Sequence, residues 1–188
     1  MYRTQWKQQI GLVVNLVPVH AATESAADRA AAQRMDAYLN RHYLDPALLG
    51  TFPDELPEML GEAWPTMDAD EISRLRQPID FIGINYYLRI VVRDDPTAGP
   101  PRAAIVSRPD CPRTAVGWEI YPRGLVEILE WVMSRYGNLP LYITENGAAF
   151  DDTPQPDGSV KDVERVQYLK EHLQAAGQAL QAGVNLRG

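Results

Sequence analysis

The sequence predicts an α/β fold, a partial (β/α)8 barrel, and three observations lead there. First, apolar runs of strand length alternate with segments of helical periodicity. Second, those runs are apolar at successive positions, the pattern of a parallel sheet covered by helices. Third, two long irregular segments, 88–117 and 145–161, both follow strands. A barrel carries its functional loops at the strand C-terminal ends. The competing architecture is an open doubly wound sheet. Its glycine-rich phosphate turn, G-x-G-x-x-G after a strand, is absent. A full barrel needs eight strands and about 250 residues. The 188 residues supply three strands and the start of a fourth, a single incomplete domain over 1–188.

The elements follow in order. "IGLVVNL" (10–16) is the first strand. Ala27, Ala31, Met35, Tyr38 and His42 recur at steps of three and four, predicting a helix over 24–44 that ends before Pro46. "DADEISRLRQP" sets Glu71 three residues after Asp68, a capping-box spacing, and Pro78 halts that helix. "IDFIGINYY" (79–87) is the second strand. "PRGLVEILEWVMSRYG" puts Pro122 in a first helical turn, with Leu125, Ile128, Leu129, Val132 and Tyr136 on one face and Gly137 as the cap. "LPLYIT" (139–144) is the third strand. "DVERVQYLKEHLQAAGQALQAG" repeats the design, with Asp162 as N-cap and Val166, Leu169, Leu173, Ala176 and Leu180 as its stripe. "GVNLRG" (183–188) begins a further strand.

Composition narrows the function. Hydrophobic residues make up 45% and charged residues 23%, as in an ordinary globular domain. A formal charge of −7 argues against nucleic acid or an anionic membrane as partner. Cys111 is the only cysteine, and His20, His42 and His172 are widely spaced, so no metal site and no cofactor are expected. The N-terminus has a basic start and a short apolar run broken by Gln8, Gln9 and Asn15. A secretory signal is more continuously apolar. The segment therefore reads as part of the fold and the protein as cytoplasmic. No run approaches the ~20 apolar residues of a membrane span.

Candidate chemistry gathers at strand ends. In "LPLYITENGAAFDD" the strand runs into Glu145, Asn146 and Gly147. The simple account is a polar strand-to-loop transition with glycine in the turn. The alternative is a catalytic carboxylate at the barrel mouth. Asn85, Tyr86 and Tyr87 close the preceding strand and would converge on the same mouth, unless the tyrosines are core aromatics. Trp118 and Glu119, in "GWEIYP", end the long loop. The tryptophan suits either sugar stacking or anchoring of the loop.

Four segments in register then become specific. "LYITENGAAFDD", "DFIGINYYLR", "VGWEIYPRGL" and "DVERVQYLKEHL" resemble glycoside hydrolase family one, the β-glucosidases and their relatives. The resemblance runs from "IGLVVNLVPVHAA", like that family's fifth strand, to "GVNLRG", like the start of its eighth. It implies a retaining glycosidase acting on terminal β-D-glycosides. Glu145 matches the nucleophile that attacks the anomeric carbon. Tyr87 matches a tyrosine whose hydroxyl holds that carboxylate ionised and aimed. Asn85, Asn146 and Trp118 match positions around the sugar, with Trp118 on the leaving-group side. Arg165, Tyr168 and His172 match a structural signature with no catalytic role.

The same resemblance implies a partner for Glu145. Retaining enzymes use a second carboxyl group about 5–5.5 Å from the nucleophile, as acid and then base. In the family it belongs to T-x-N-E-P at the end of the fourth strand, and no N-E-P occurs here. Asp94, Asp95, Glu119, Asp151 and Asp152 are the carboxylates that could substitute, each equally readable as a loop charge. Without an acid/base the rate falls by about 10²–10⁴. A half-barrel also exposes apolar strand edges that invite pairing. Homo-oligomerisation through those edges is therefore expected, a C2 dimer being the simplest form. The alternative is an inactive half-barrel that self-associates or binds sugar weakly.

Overall fold

The computed structural model describes residues 8–188; the basic start of the chain lies outside the described residues. Three parallel strands form the central sheet. They are β1 (Gly11–Asn15), β3 (Phe81–Asn85) and β6 (Leu141–Glu145), in the order β1-β3-β6. Residue 186 extends the sheet. Leu186 bridges Leu141 in parallel, and Ile143 N–H donates to the Gly188 carbonyl at 2.8 Å. The predicted start of a fourth strand thus lies on the far side of β6. The chain is a partial α/β barrel.

Parity along the strands separates two faces. Val14, Leu16, Ile82, Ile84, Tyr86 and Leu141 enter the main core. There they meet α5 (Pro122–Tyr136), α6 (Val163–Gln181) and Leu44 of α2 (His42–Leu48). Gly11, Val13 and Asn15 take the opposite face, where Val13 is half exposed. Gly83 belongs to that face too. A Cβ on it would stand 2.8 Å from both the Val13 and Thr144 methyl groups, so the central strand admits its neighbours only as glycine.

Several expectations need correction. The helix over 24–44 does not stop before Pro46. It consists of α1 (Ala26–Asp36), a π-turn over Ala37–Arg41, and α2, which contains Pro46. The buried Asp45 carboxylate accepts from Arg135 Nη2 at 2.6 Å and from the Tyr136 hydroxyl at 2.6 Å. That anchoring to α5 holds the helix through a residue that ordinarily breaks one. The π-turn also shifts the phase of the stripe. Ala31 and Met35 are buried as expected, but Ala27 and Tyr38 are exposed while Ala37 and Asn40 face inward.

The segment 88–117 is not structureless. It contains β4 (Ile90–Asp94) and β5 (Ala103–Ile105), which join β2 (Val19–Ala21) in a second sheet of order β2-β4-β5. β4 pairs with a strand some seventy residues away, and Arg93 and Asp94 interrupt its apolar run. Local periodicity could not show such a pairing. Ala31 and Met35 of α1 pack on this sheet through Val92.

The remaining helices are short: α3 (Glu55–Leu60), a 3₁₀ turn over Gly61–Ala63, and α4 (Ala69–Leu75). The capping box on α4 is present, with Glu71 N–H donating to Asp68 at 2.8 Å and Asp68 N–H to Glu71 at 3.0 Å. On α5 the expected face is buried, and Gly137 ends the helix at φ 87°. On α6 the expected stripe is wrong. Val166, Leu169, Leu173 and Leu180 are exposed, and the buried side is Tyr168, His172, Ala175 and Ala179. The small alanines let α6 pack closely against α5, which larger residues there would prevent. No helix among the described residues is long and apolar enough to cross a membrane.

Candidate active site

The candidate site sits where β3 and β6 end, and a bulge creates it. Strand parity alone would send Glu145 to the helix side, with Leu141 and Ile143. The register instead pairs Ile84 with Ile143 and then Asn85 with Glu145, so Thr144 is an extra residue. Bulges of this kind re-aim side chains. Thr144 and Glu145 therefore both emerge, exposed, on the open face. Thr144 Oγ1 donates to Asn85 Oδ1 at 2.7 Å, fixing the offset. The chain then turns back inward. Asn146 Nδ2 donates to the Tyr86 carbonyl at 2.9 Å and to the Tyr168 hydroxyl at 3.0 Å.

Tyr87 shares the open face with Asn85, and its hydroxyl donates to Glu145 Oε2 in a short hydrogen bond. That bond, helped by partial burial and the charge of Glu145, raises the Tyr87 pKa and keeps the phenol protonated. Trp118 packs against Tyr87 with ring centroids 5.5 Å apart, and its own ring is part exposed. Tyr86 points the other way, fully buried, and its hydroxyl donates to the Tyr121 carbonyl at 2.5 Å. Gly124 permits this, since a Cβ there would collide with that hydroxyl. Of the residues singled out from sequence, Glu145, Tyr87 and Trp118 are thus brought into one cluster. Asn85 stands beneath them through Thr144, and the Asn146 amide nitrogen is turned to the interior.

The carboxylates that might act beside Glu145 are engaged elsewhere. Glu119 is buried and pairs with Arg89 through Nη2 at 2.7 Å and Nε at 3.1 Å. Burial alone would raise its pKa, but the Arg89 hydrogen bonds prevail and hold it below the usual carboxylate range. A proton donor near neutrality needs the opposite shift. Asp94 pairs with Arg34 at 2.7 Å and Asp152 with Arg165 at 2.8 Å. Asp95 and Asp151 accept from the hydroxyls of Thr97 and Thr153 at 2.7 and 2.9 Å.

Sequence reasoning missed the support behind Glu119. Arg89 lies over the Tyr121 ring, 3.8 Å from its centroid, and contacts His20 Nδ1 at 3.2 Å. His20 Nε2 in turn meets Glu127 at 2.9 Å, and Tyr121 donates to the same carboxylate at 2.9 Å. Polar residues on β2, on the loops before β4 and α5, and on α5 itself made no pattern along the chain. Among the described residues no cluster of His, Cys, Asp or Glu has the geometry of a metal site.

Known proteins resemble the chain in sequence and fold. The family model described as Glycosyl hydrolase family 1 matches residues 1–188. Beta-glucosidase A of Thermotoga maritima is 41% identical over 181 residues, covering 96% of this chain and 40% of its own. A 6-phospho-beta-glucosidase of Bacillus subtilis is 31% identical, with 96% and 42% covered. The chain therefore spans about 40% of the length of the curated relatives it matches. A solved structure described as a family 1 β-glucosidase from Thermotoga maritima superposes with a TM-score of 0.91 at 40% identity, covering 97% of this chain and 40% of that one. Another from that organism, solved in complex with deoxynojirimycin, gives a TM-score of 0.90.

Proposed function

The chain belongs to glycosyl hydrolase family 1, and from that premise we propose that it carries the nucleophile half of a retaining β-glycosidase site. Glu145 is the group that attacks the anomeric carbon. The observation that carries this reading is the Tyr87–Glu145 hydrogen bond on the open face, made possible by the bulge at Thr144. A hydroxyl donating to one carboxylate oxygen stabilises the anion and fixes its direction, leaving the other oxygen for the sugar. Trp118 supplies an apolar wall on the leaving-group side, Asn85 holds the bulge through Thr144, and Asn146 locks the turn behind the nucleophile. The substrate is a β-glucoside or a related sugar, as the names of the relatives suggest.

Double displacement also needs an acid/base carboxyl. Asp94, Asp95, Glu119, Asp151 and Asp152 are all committed to other partners. That group is therefore supplied from a segment outside the 188 residues or from another copy. The same observation favours a second reading, in which the half-barrel alone binds sugar or self-associates without turnover. A 2-deoxy-2-fluoro-glucoside with an activated leaving group separates them, because its departure needs little acid assistance. Wild type is expected to gain the mass of one fluoroglucosyl group on Glu145, and Glu145→Ala none. No adduct on wild type would remove the catalytic reading for this chain.

A further inference from the structure

The loop bearing Trp118 also lines a groove beside the Tyr87–Trp118 pair. Residues 113 and 119 form an antiparallel bridge, Thr114 N–H donates to the Trp118 carbonyl at 2.9 Å, and Gly117 at φ 82° makes the turn. Trp118 lines an open groove of about 370 Å³, together with Leu88, Ile90 and Ile105. That size and apolar lining suit one small aromatic ring. Its polar lining is unbalanced. Arg89, Arg108 and Arg113 face the groove, against the single carboxylate of Glu119.

Arg89 and Glu119 neutralise each other at 2.7 Å. Arg113 is held by neutral acceptors: the Gly117 carbonyl at 2.7 Å, the Ser107 hydroxyl at 3.0 Å and the Arg108 carbonyl at 3.1 Å. Three of the five guanidinium donors are so used, both of those on Nη2 among them, which leaves Nε–H and one Nη1–H as single donors on a guanidinium already held in place. Arg108 is exposed and among the described residues makes no close ion pair, although its charge helps lower the Glu119 pKa. A local excess of positive charge stands out in a chain of net charge −7. Arg113 pins the loop through those bonds, whereas the Arg108 guanidinium makes no hydrogen bond among the described residues, and two like charges lining one groove repel.

We propose that this groove is a leaving-group site selective for an aromatic ring that carries a carboxylate, the ring lying on Trp118 and the carboxylate reaching Arg108 and Arg113. Guanidinium groups match a carboxylate in plane and in donor spacing. The term leaving group rests on the glycosidase reading of Glu145; the binding itself does not. Aromatic glycosides bearing a carboxylate would then be preferred over neutral ones, because the pairing is available to both ground state and leaving group.

The test titrates 4-hydroxybenzoate and phenol into the chain by NMR, at low and high NaCl. The carboxylate is expected to tighten binding about tenfold at low salt, as two part-exposed ion pairs allow, and high salt is expected to shrink the advantage. Arg108→Glu should abolish the preference while leaving phenol binding unchanged. Glu145→Ala should leave the preference intact, so failure of the nucleophile assignment and failure of the groove show up separately. Equal affinity for the two probes, or an unaltered preference in Arg108→Glu, overturns the proposal.

Discussion

Helices α5 and α6 follow the same plan along the sequence and meet opposite fates. Each carries an apolar stripe at helical spacing. On α5 the stripe is the core: Leu125, Ile128, Leu129 and Val132 are all buried. On α6 the comparable stripe is exposed, with Val166 at 64% and Leu173 at 73% of their full accessibility. The buried side of α6 is instead Tyr168, His172, Ala175 and Ala179. The lesson is physical. A hydrophobic period says that a helix has an apolar face, but which face packs inward depends on how closely the neighbour approaches. α6 lies against α5 through small residues, while His172, stacked on Tyr168 of its own helix at 3.9 Å between centroids, meets Tyr86 at 5.9 Å.

The comparison predicts its largest effect on α5. Leu129 is fully buried within the main cluster, between the helices and the sheet. Leu129→Ala is expected to destabilise the chain by about 3 kcal/mol, the transfer of the side chain plus the cavity it leaves. Urea denaturation followed by circular dichroism reads this as a lower midpoint with an unchanged slope. A loss below about 1 kcal/mol would mean that α5 is as loosely held as the outer face of α6.

The contrast also marks how far the chain could be read without coordinates. The central strands, α5 and the α4 cap were legible because each rests on short-range signals: apolar runs, Pro122, Gly137, and Asp68 with Glu71. The convergence of Glu145 and Tyr87 on one mouth was legible from their places at strand ends, but their direct pairing only through the resemblance. Periodicity puts Glu145 on the helix side, and nothing local announces the extra residue at Thr144. The second sheet was hidden because β2 and β4 pair across the chain. The π-turn after Asp36 was hidden because it answers to tertiary contacts of Asn40 and Asp45. The inner face of α6 was misjudged because alanine and histidine rank low on a hydrophobic pattern yet pack tightest here.

His172 sharpens the comparison from the inner side of α6. Its Nδ1 lies 2.8 Å from the Tyr168 carbonyl, so Nδ1 carries the proton and Nε2 is a buried acceptor with no hydrogen-bond partner among the described residues. Burial pushes its pKa below 6.5, against the Tyr168 carbonyl and the charge of Glu171, which act to raise it. The unfolded chain therefore takes up a proton before the folded one does. Stability falls as pH drops through the unfolded value toward the folded value, and below the latter the loss is complete. His172→Phe keeps an aromatic ring beside Tyr86 and Tyr168 and removes the titration. The difference in urea midpoint between wild type and variant is expected to change between about pH 7.5 and about pH 5 in favour of the variant. A constant difference would show that His172 is not held neutral by burial.

The outer side of α6 should give the smallest effect on stability and the clearest one on association. Val166, Leu169, Leu173, Ala176 and Leu180 fall at alternating steps of three and four, the spacing of a helix-pairing seam. In the single chain Val166, Leu169, Leu173 and Leu180 face solvent while Ala176 packs against the core, so the four exposed residues contribute little to folding. Leucine and glutamine have similar helix propensities, and no packed neighbour is lost. Leu173→Gln is therefore expected to shift stability by no more than about 0.5 kcal/mol in dilute solution. Analytical ultracentrifugation should show wild-type average mass rising with concentration and the variant rising less, since a polar group in an apolar seam is left without a hydrogen-bond partner on pairing. A loss of more than about 1.5 kcal/mol in the dilute variant would place Leu173 in packed structure and erase the difference between the helices. Unchanged association would instead assign self-pairing to the free edge of β1, where Ile10 and Val13 are each about half exposed.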